Sequence, residues 1–334
     1  MVGLKSRLYS KVAQRGYIMA NKIKIATIGA KAKTGNPGTG QSAVEAMMAH
    51  WNNRFDQVWP DEPDLVVVPE CCDRYPAHSP EERRTYYRYR GDRIRDFFAQ
   101  MAREHRCYIT YAAVREMADG SWRNSLQMLD RNGEIAGIYD KNFPVITETT
   151  DAGILCGADA PLIECDFGRV GAAICFDLNF SEIRQRYEQA RPDLLLFPPM
   201  YHGGLMQAYW AYACRAHLVT AVCGLPSAIV SPVGRELAST TNYFDFAVAE
   251  VNLDCQVAHL DFNWDKLRAM RARYGAEVSV FDPGHLGSVL ISSESEERSS
   301  ADLIAEFGVE LLDDYMRRSM AHRSNSDNVG KTSL

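Results

Sequence analysis

The chain has 334 residues, 46% hydrophobic and 24% charged, with a formal net charge of -6 at neutral pH. That composition belongs to an ordinary folded protein and excludes fibrous and disordered classes. The negative balance gives no whole-chain attraction to phosphate backbones and excludes nucleic acid as the main partner. Length leaves one large α/β domain or two average ones open. Nine cysteines, an odd number without the spacing of a small disulfide scaffold, point to free thiols in a reducing compartment. No apolar run of about 18 residues is present to span a membrane, so a cytoplasmic setting is expected. No acidic residue precedes Glu45, and Lys5, Arg7, Lys11 and Arg15 alternate with Leu4, Leu8 and Val12 as in an amphipathic targeting segment. Without an apolar signal core, an extended or disordered start over residues 1–22 is the preferred reading.

In chain order, residues 23–28 form a short β-branched strand, followed by a glycine-bearing loop at 31–40 and a helix over 42–52. Gly35, Gly38 and Gly40 invite a phosphate-binding or dinucleotide-binding reading. Neither G-x-G-x-x-G nor G-x-x-x-x-G-K-[ST] fits across them, so a plain loop ending in a Ser or Thr helix cap is expected. Pro63-Asp64-Leu65-Val66-Val67-Val68-Pro69-Glu70 is a continuous apolar strand that ends in a carboxylate, at the end where ligands of α/β sheets gather. Residues 80–106 read as one long helical stretch with Ile94, Phe97, Phe98 and Met101 toward the core. The arginines interleaved with Tyr86, Tyr87 and Tyr89 between Arg83 and Arg90 are expected on a solvated or subunit-facing surface, an RNA-stacking face being the rival. A strand at 107–114 and a hairpin of 125–129 with 135–139 follow, with Lys141 just beyond.

Strands at 162–166 and 170–175 lead to Ile174-Cys175-Phe176-Asp177-Leu178. Asn179 and Glu182 have capping-box spacing ahead of a helix at 180–191. Pro192-Asp193-Leu194-Leu195-Leu196-Phe197-Pro198-Pro199 then repeats the form of the run from Pro63 to Glu70, which suggests an internal duplication with two similar sheets packed together. A helix at 205–217, a strand at 219–223, a hairpin at 227–239 turning at Pro232-Val233-Gly234 and a strand at 244–251 complete this part. After Asp254 the pattern loosens. Residues 299–320 read as an amphipathic helix for the body of the protein or a partner subunit, and 324–334 as a disordered tail. The expected division is a terminal segment 1–22, a main domain 23–290 and a C-terminal extension 291–334.

Three reactive residues stand at the ends of strand or hairpin elements: Glu70, Lys141 and Cys175. A cysteine in a strand-to-helix turn sits near the positive end of a helix dipole, which favours the thiolate. A glutamate can take the thiol proton and return it to a leaving amine, while a lysine ammonium and the N–H after the cysteine can hold an oxyanion.

At these residues the chain resembles the nitrilase, or carbon-nitrogen hydrolase, superfamily. Val68-Pro69-Glu70, Tyr139-Asp140-Lys141 and Ile174-Cys175-Phe176-Asp177-Leu178 resemble its glutamate, lysine and cysteine motifs, in that order. Arg123-Asn124-Ser125, Trp210 with Arg215-Ala216, and Ser231-Pro232-Val233-Gly234 extend the likeness. The resemblance implies a four-layer αββα sandwich, two packed mixed sheets with helices outside. It also implies a thiol hydrolase that cleaves a non-peptide C–N bond of a small amide or N-carbamoyl compound, with Glu70 as base and acid, Cys175 as nucleophile, and Lys141 with the backbone N–H of Phe176 around the oxyanion. By order, Glu148 is the family's second glutamate, although Lys141-Asn142-Phe143-Pro144 departs from the usual lysine loop. A homo-oligomer is implied, and no metal or organic cofactor; the eight histidines show no ligand spacing. Tyr201 and His202, after the second apolar strand, are candidates to line the substrate pocket. Asp177 favours amide or carbamoyl cleavage, whereas Asn179 and Ser181 leave the subfamily open. Nitrile hydrolysis by the same triad, and a catalytically silent binding or scaffolding protein, are the alternatives.

Overall fold

The computed structural model of the chain describes residues 20–330, which fall into two compact units, residues 22–253 and a second that takes in residues 254–330. The basic stretch ahead of Met19 and residues 331–334 of the expected tail lie outside the described residues.

The first unit opens with β1 (Lys22–Ile28), β2 (Leu65–Val67), β3 (Tyr108–Glu116), β4 (Trp122–Leu129) and β5 (Ile135–Asp140). It continues with β6 (Ile163–Cys165), β7 (Gly168–Ala172), β8 (Leu194–Phe197), β9 (His217–Thr220), β10 (Ala228–Val230), β11 (Glu236–Ser239) and β12 (Phe246–Asn252). Two six-stranded sheets result, in the orders β12-β1-β2-β3-β4-β5 and β6-β7-β8-β9-β10-β11. Both have the same mixture in those orders, one antiparallel pairing, then two parallel, then two antiparallel. The period-two alternation of strand side chains decides the layers. Ile23, Ile25, Leu65 and Val67 of one sheet meet Val170, Ala172, Leu194 and Leu196 of the other in a single buried cluster. Their alternate neighbours Ala26, Ile28, Val66 and Val68 pack under α1 (Gln41–Phe55), α2 (Pro80–Arg90) and α3 (Arg93–His105). A short α4 (Ile146–Thr150) follows β5. On the far side Leu195 and Phe197 pack under α5 (Ser181–Ala190) and α6 (Met206–Cys214). The layers are therefore α, β, β, α.

The repeated Pro-Asp-apolar run has a shared physical task. The Asp64 carboxylate accepts from the Lys24 backbone N–H at 3.0 Å, and the Asp64 N–H donates to the Lys24 carbonyl at 2.7 Å. In the second sheet the Asp193 carboxylate accepts from the Arg169 N–H at 2.7 Å, and the Asp193 N–H donates to the Arg169 carbonyl at 2.9 Å. Each aspartate thus starts a central strand by closing a loop onto its parallel neighbour.

Several expectations are corrected. The long helix over 80–106 is two helices, because Gly91 at φ +49° closes α2 with its N–H on the Tyr87 carbonyl. α1 begins at Gly40 without a side-chain cap, the Ser42 hydroxyl turning back to the Pro37 carbonyl. Asn179 caps no helix; its amide donates to the Phe176 carbonyl and the Tyr201 hydroxyl. The chain divides after Leu253, not at residue 290. In the second unit β13 (Cys255–His259), β14 (Val278–Phe281) and β15 (Ser288–Ser293) form an antiparallel sheet with β15 central, so the strand that runs across residue 290 pairs with residues 255–259 and 278–281. Ala258, Val289, Ile291 and Val278 of this sheet pack on Leu267 and Met270 of α7 (Trp264–Tyr274) and Leu303 of α8 (Ser300–Phe307). The single helix expected over 299–320 is α8 and α9 (Leu312–Ser324), parted at Gly308 with φ +58°. Among the described residues no helix is long and apolar enough to cross a membrane.

Replacing Asp64 or Asp193 by Ala should each lower unfolding free energy in urea by about 1–3 kcal/mol, the range for a charged hydrogen bond whose partner is left behind. The losses should add in the double variant, because the two clamps share no partner.

Candidate active site

Beyond Val67, Val68 and Pro69 carry the chain from β2 to Glu70, and Cys71 follows at φ +50°. A left-handed non-glycine residue costs about 1–2 kcal/mol, so the turn needs support. It has it: the Cys72 N–H donates to the Ala112 carbonyl, and the Trp51 indole N–H donates to the Cys72 carbonyl, both at 2.9 Å. Two residues on, the buried Asp73 carboxylate accepts from the Arg90 guanidinium at 2.7 Å and the Tyr111 hydroxyl at 2.5 Å. Glu70 is held with 3% of its surface exposed.

Lys141 follows β5 and is 2% exposed. Its ammonium donates to Glu70 Oε1 and to Glu148 Oε2, both at 2.8 Å. Glu148 comes from α4, where its Oε2 also accepts the Val145 N–H at 2.8 Å. Asn124 of β4 joins the two carboxylates from the other side, its Nδ2 donating to Glu70 Oε1 at 2.8 Å and Glu148 Oε1 at 3.1 Å. Burial works to lower the Lys141 pKa, but Glu70 and Glu148 outweigh it and hold the ammonium above its ordinary value. Two of its three N–H groups are engaged, which leaves one for a substrate oxygen.

Cys175 opens a single 3₁₀ turn, Cys175–Asn179, just past β7, and adopts φ +51°. Asp177, fully buried, ties this turn to the lysine loop. Its carboxylate accepts from the Ile174 N–H at 2.9 Å, the Tyr139 hydroxyl at 2.7 Å and the Phe143 N–H at 2.7 Å. Burial raises the Asp177 pKa to about 6 against these three donors, and the Phe143 ring stacks on Phe180 at 3.7 Å. The lysine loop that departs from the family pattern is thus fastened to the cysteine turn through Phe143.

The thiolate expected at a helix N-terminus is corrected. One 3₁₀ turn supplies little dipole, and burial, followed by the Glu70 carboxylate, pushes the Cys175 thiol up to about 12 despite Lys141 and the Met200 N–H. A side-chain hydrogen bond with Glu70 also helps to hold the thiol protonated, and places that carboxylate to receive its proton.

Glu70, Lys141, Glu148 and Cys175 open together into a cavity of about 470 Å³, whose apolar wall includes Tyr87, Val114, Trp122 and Ile154. Phe176, with its backbone N–H, lies next to Cys175 on the same turn. Tyr201 and His202 do not line the cavity; Met200 does. Tyr201 instead receives the Asn179 amide, and His202 Nδ1 accepts the Gly204 N–H. Asn124 went unassigned in sequence because a polar strand residue reads the same whether it faces solvent or a buried carboxylate. Arg83 and Arg84, expected on an outer surface, line the cavity with Arg74.

An αββα sandwich with a glutamate, a lysine and a cysteine converging beyond its strands is the arrangement of the nitrilase superfamily. The carbon-nitrogen hydrolase family model matches residues 24–255, two residues past the end of the first unit, and the chain belongs to this family. Nitrilase and fragile histidine triad fusion protein NitFhit of Drosophila melanogaster is 24% identical over 217 residues, 57% of this chain and 46% of that one. Deaminated glutathione amidase of Homo sapiens is 21% identical over 173 residues, 48% of this chain and 52% of that one. The chain spans about half the length of these curated relatives. The crystal structure of Saccharomyces cerevisiae Nit3, a member of branch 10 of the nitrilase superfamily, shares the fold at TM-score 0.59 and 15% identity, covering 78% of this chain and 97% of that one.

A thiol with its pKa raised to about 12 is protonated at neutral pH, and its reactive fraction grows about tenfold per pH unit below that value. Labelling of Cys175 by methyl methanethiosulfonate, followed by peptide mapping, should therefore accelerate steadily from pH 7 to pH 10. A rate that levels off near pH 7 would show a stabilised thiolate instead.

Proposed function

We propose that the protein is a thiol hydrolase that cleaves the C–N bond of a small amide or N-carbamoyl compound through a thioester on Cys175. The observation that carries this is the buried Glu70–Lys141–Glu148–Asn124 network, which opens with the Cys175 thiol into one cavity. Because the resting thiol is protonated, its proton moves to Glu70 as the sulfur bonds to the carbonyl carbon. The carbonyl oxygen gains negative charge and is held by the free N–H of Lys141 and the backbone N–H of Phe176. Glu70 then gives the proton to the nitrogen, the C–N bond breaks, and ammonia or an amine leaves with the acyl group on sulfur. Water enters, loses a proton to Glu70 and attacks the thioester; acid and free thiol are the products. Lys141 and Glu148 keep their protonation states throughout, and Asn124 positions both carboxylates. The amidase among the relatives is consistent with an amide as the bond cleaved.

Incubating the purified chain with a panel of primary amides, N-carbamoyl amino acids and nitriles, with ammonia detection, should give turnover on the first or second class. Cys175→Ala should abolish it, and Glu70→Gln should reduce it by about 10²–10⁴-fold. Retained hydrolysis in Cys175→Ala would overturn the thioester route. Asn124→Leu should lower kcat by about 10²-fold through misplaced Glu70, with the circular-dichroism spectrum unchanged; an unaltered kcat would remove its positioning role.

A further inference from the structure

Pro80, Arg83, Arg84 and Tyr87 recur at helical spacing along α2, and all four line the cavity, with Arg74 added from the turn after Glu70. Arginines elsewhere near this helix are neutralised within the chain: Arg90 by Asp73 at 2.7 Å and Arg88 by Glu116 at 3.1 Å. Arg74, Arg83 and Arg84 differ. Among the described residues none of the three has a carboxylate within ion-pair distance. Arg83 donates to the His78 carbonyl at 3.2 Å, Arg84 to the Asp151 carbonyl at 2.9 Å, and Arg74 to Met200 Sδ at 3.8 Å, all uncharged acceptors. The Nε of Arg83 is buried with no partner. A buried donor left unmade costs about 1–3 kcal/mol, which an arriving acceptor would recover.

Glu70, Lys141 and Glu148 together carry one net negative charge, while Arg74, Arg83, Arg84 and Asp151 together carry two net positive charges. An anionic group on a ligand is repelled by the first set and attracted by the second. The wall of Tyr87, Val114, Trp122 and Ile154 suits a short hydrocarbon.

We infer that the cavity selects amides or N-carbamoyl compounds that bear a free carboxylate, bound by Arg83 and Arg74 with Arg84 at the rim, so that the scissile carbonyl is turned toward Cys175. The guanidinium fork matches a carboxylate with two parallel hydrogen bonds, and three unneutralised forks in one small cavity serve no ion pair of the fold itself. This rests on the hydrolase reading above.

The experiment compares kcat/KM for succinamate with butyramide, and for glutaramate with valeramide, by ammonia release. The acidic member of each pair should be favoured by about 10²-fold, as a site built for a polar group rejects the analogue lacking it. Arg83→Gln and Arg74→Gln should each shrink that ratio at least tenfold, and Arg83→Lys, which keeps the charge, should retain more of it than Arg83→Gln. A ratio near one in the wild-type chain, or one unmoved in both Gln variants, overturns the inference. A second reading needs no turnover: glutarate should slow methyl methanethiosulfonate labelling of Cys175, and Arg83→Gln should lose that protection. Protection through Arg83 without hydrolysis of any amide would sink the hydrolase reading and leave the carboxylate site standing. Hydrolysis without acid preference or protection would do the reverse.

Discussion

The Lys141 ammonium, almost completely withdrawn from water, is the constraint on which the site depends. An unpaired charge there would cost several kcal/mol, and it is tolerable only because two carboxylates converge on it. Those carboxylates in turn face each other safely only across the ammonium and the Asn124 amide. The end of β2, the end of β5, a residue of β4 and the first turn of α4 must therefore all be in register. A shift in any one of them strands a buried charge, so the network specifies the geometry of the loops as firmly as the apolar layers specify the sheets.

The two halves of the first unit contribute unequally from equivalent positions. Through their aspartate clamps Lys24 corresponds to Arg169 and Asp64 to Asp193, which places Glu70 opposite Pro199 and Cys175 opposite Ala30. Glu70 and Cys175, the base and nucleophile of the proposed mechanism, thus come from different sheets, each at a strand end whose counterpart in the other half is chemically inert. The cavity lies where those unlike ends meet, and Cys71 and Met200, equivalent by the same correspondence, both line it.

The αββα layering and the three reactive residues were legible in the sequence because each leaves a local trace. Apolar runs of strand length opened by Pro-Asp mark the central strands, and Glu70, Lys141 and Cys175 each follow the end of a strand or hairpin. What escaped is set by sums over the folded chain. The protonation of Cys175 follows from burial and from Glu70, neither visible in the residues around it. The arginine face of α2 had its helical spacing in view, but the same spacing describes a solvated surface, and only the packing of Tyr86 and Tyr87 into the core turns it inward. The sheet of residues 255–293 was missed because its strands are short and interrupted or ended by serines, so that 278–281 and 288–293 become recognisable only once paired.

The raised thiol pKa bears on how the protein endures in an oxidising moment. Peroxide attacks thiolates, and a thiol that ionises only near pH 12 presents almost none at neutral pH. The sulfur is thus kept in the form least prone to sulfenic acid, and in the proposed mechanism it becomes a strong nucleophile only while a carbonyl carbon is there to receive its electrons.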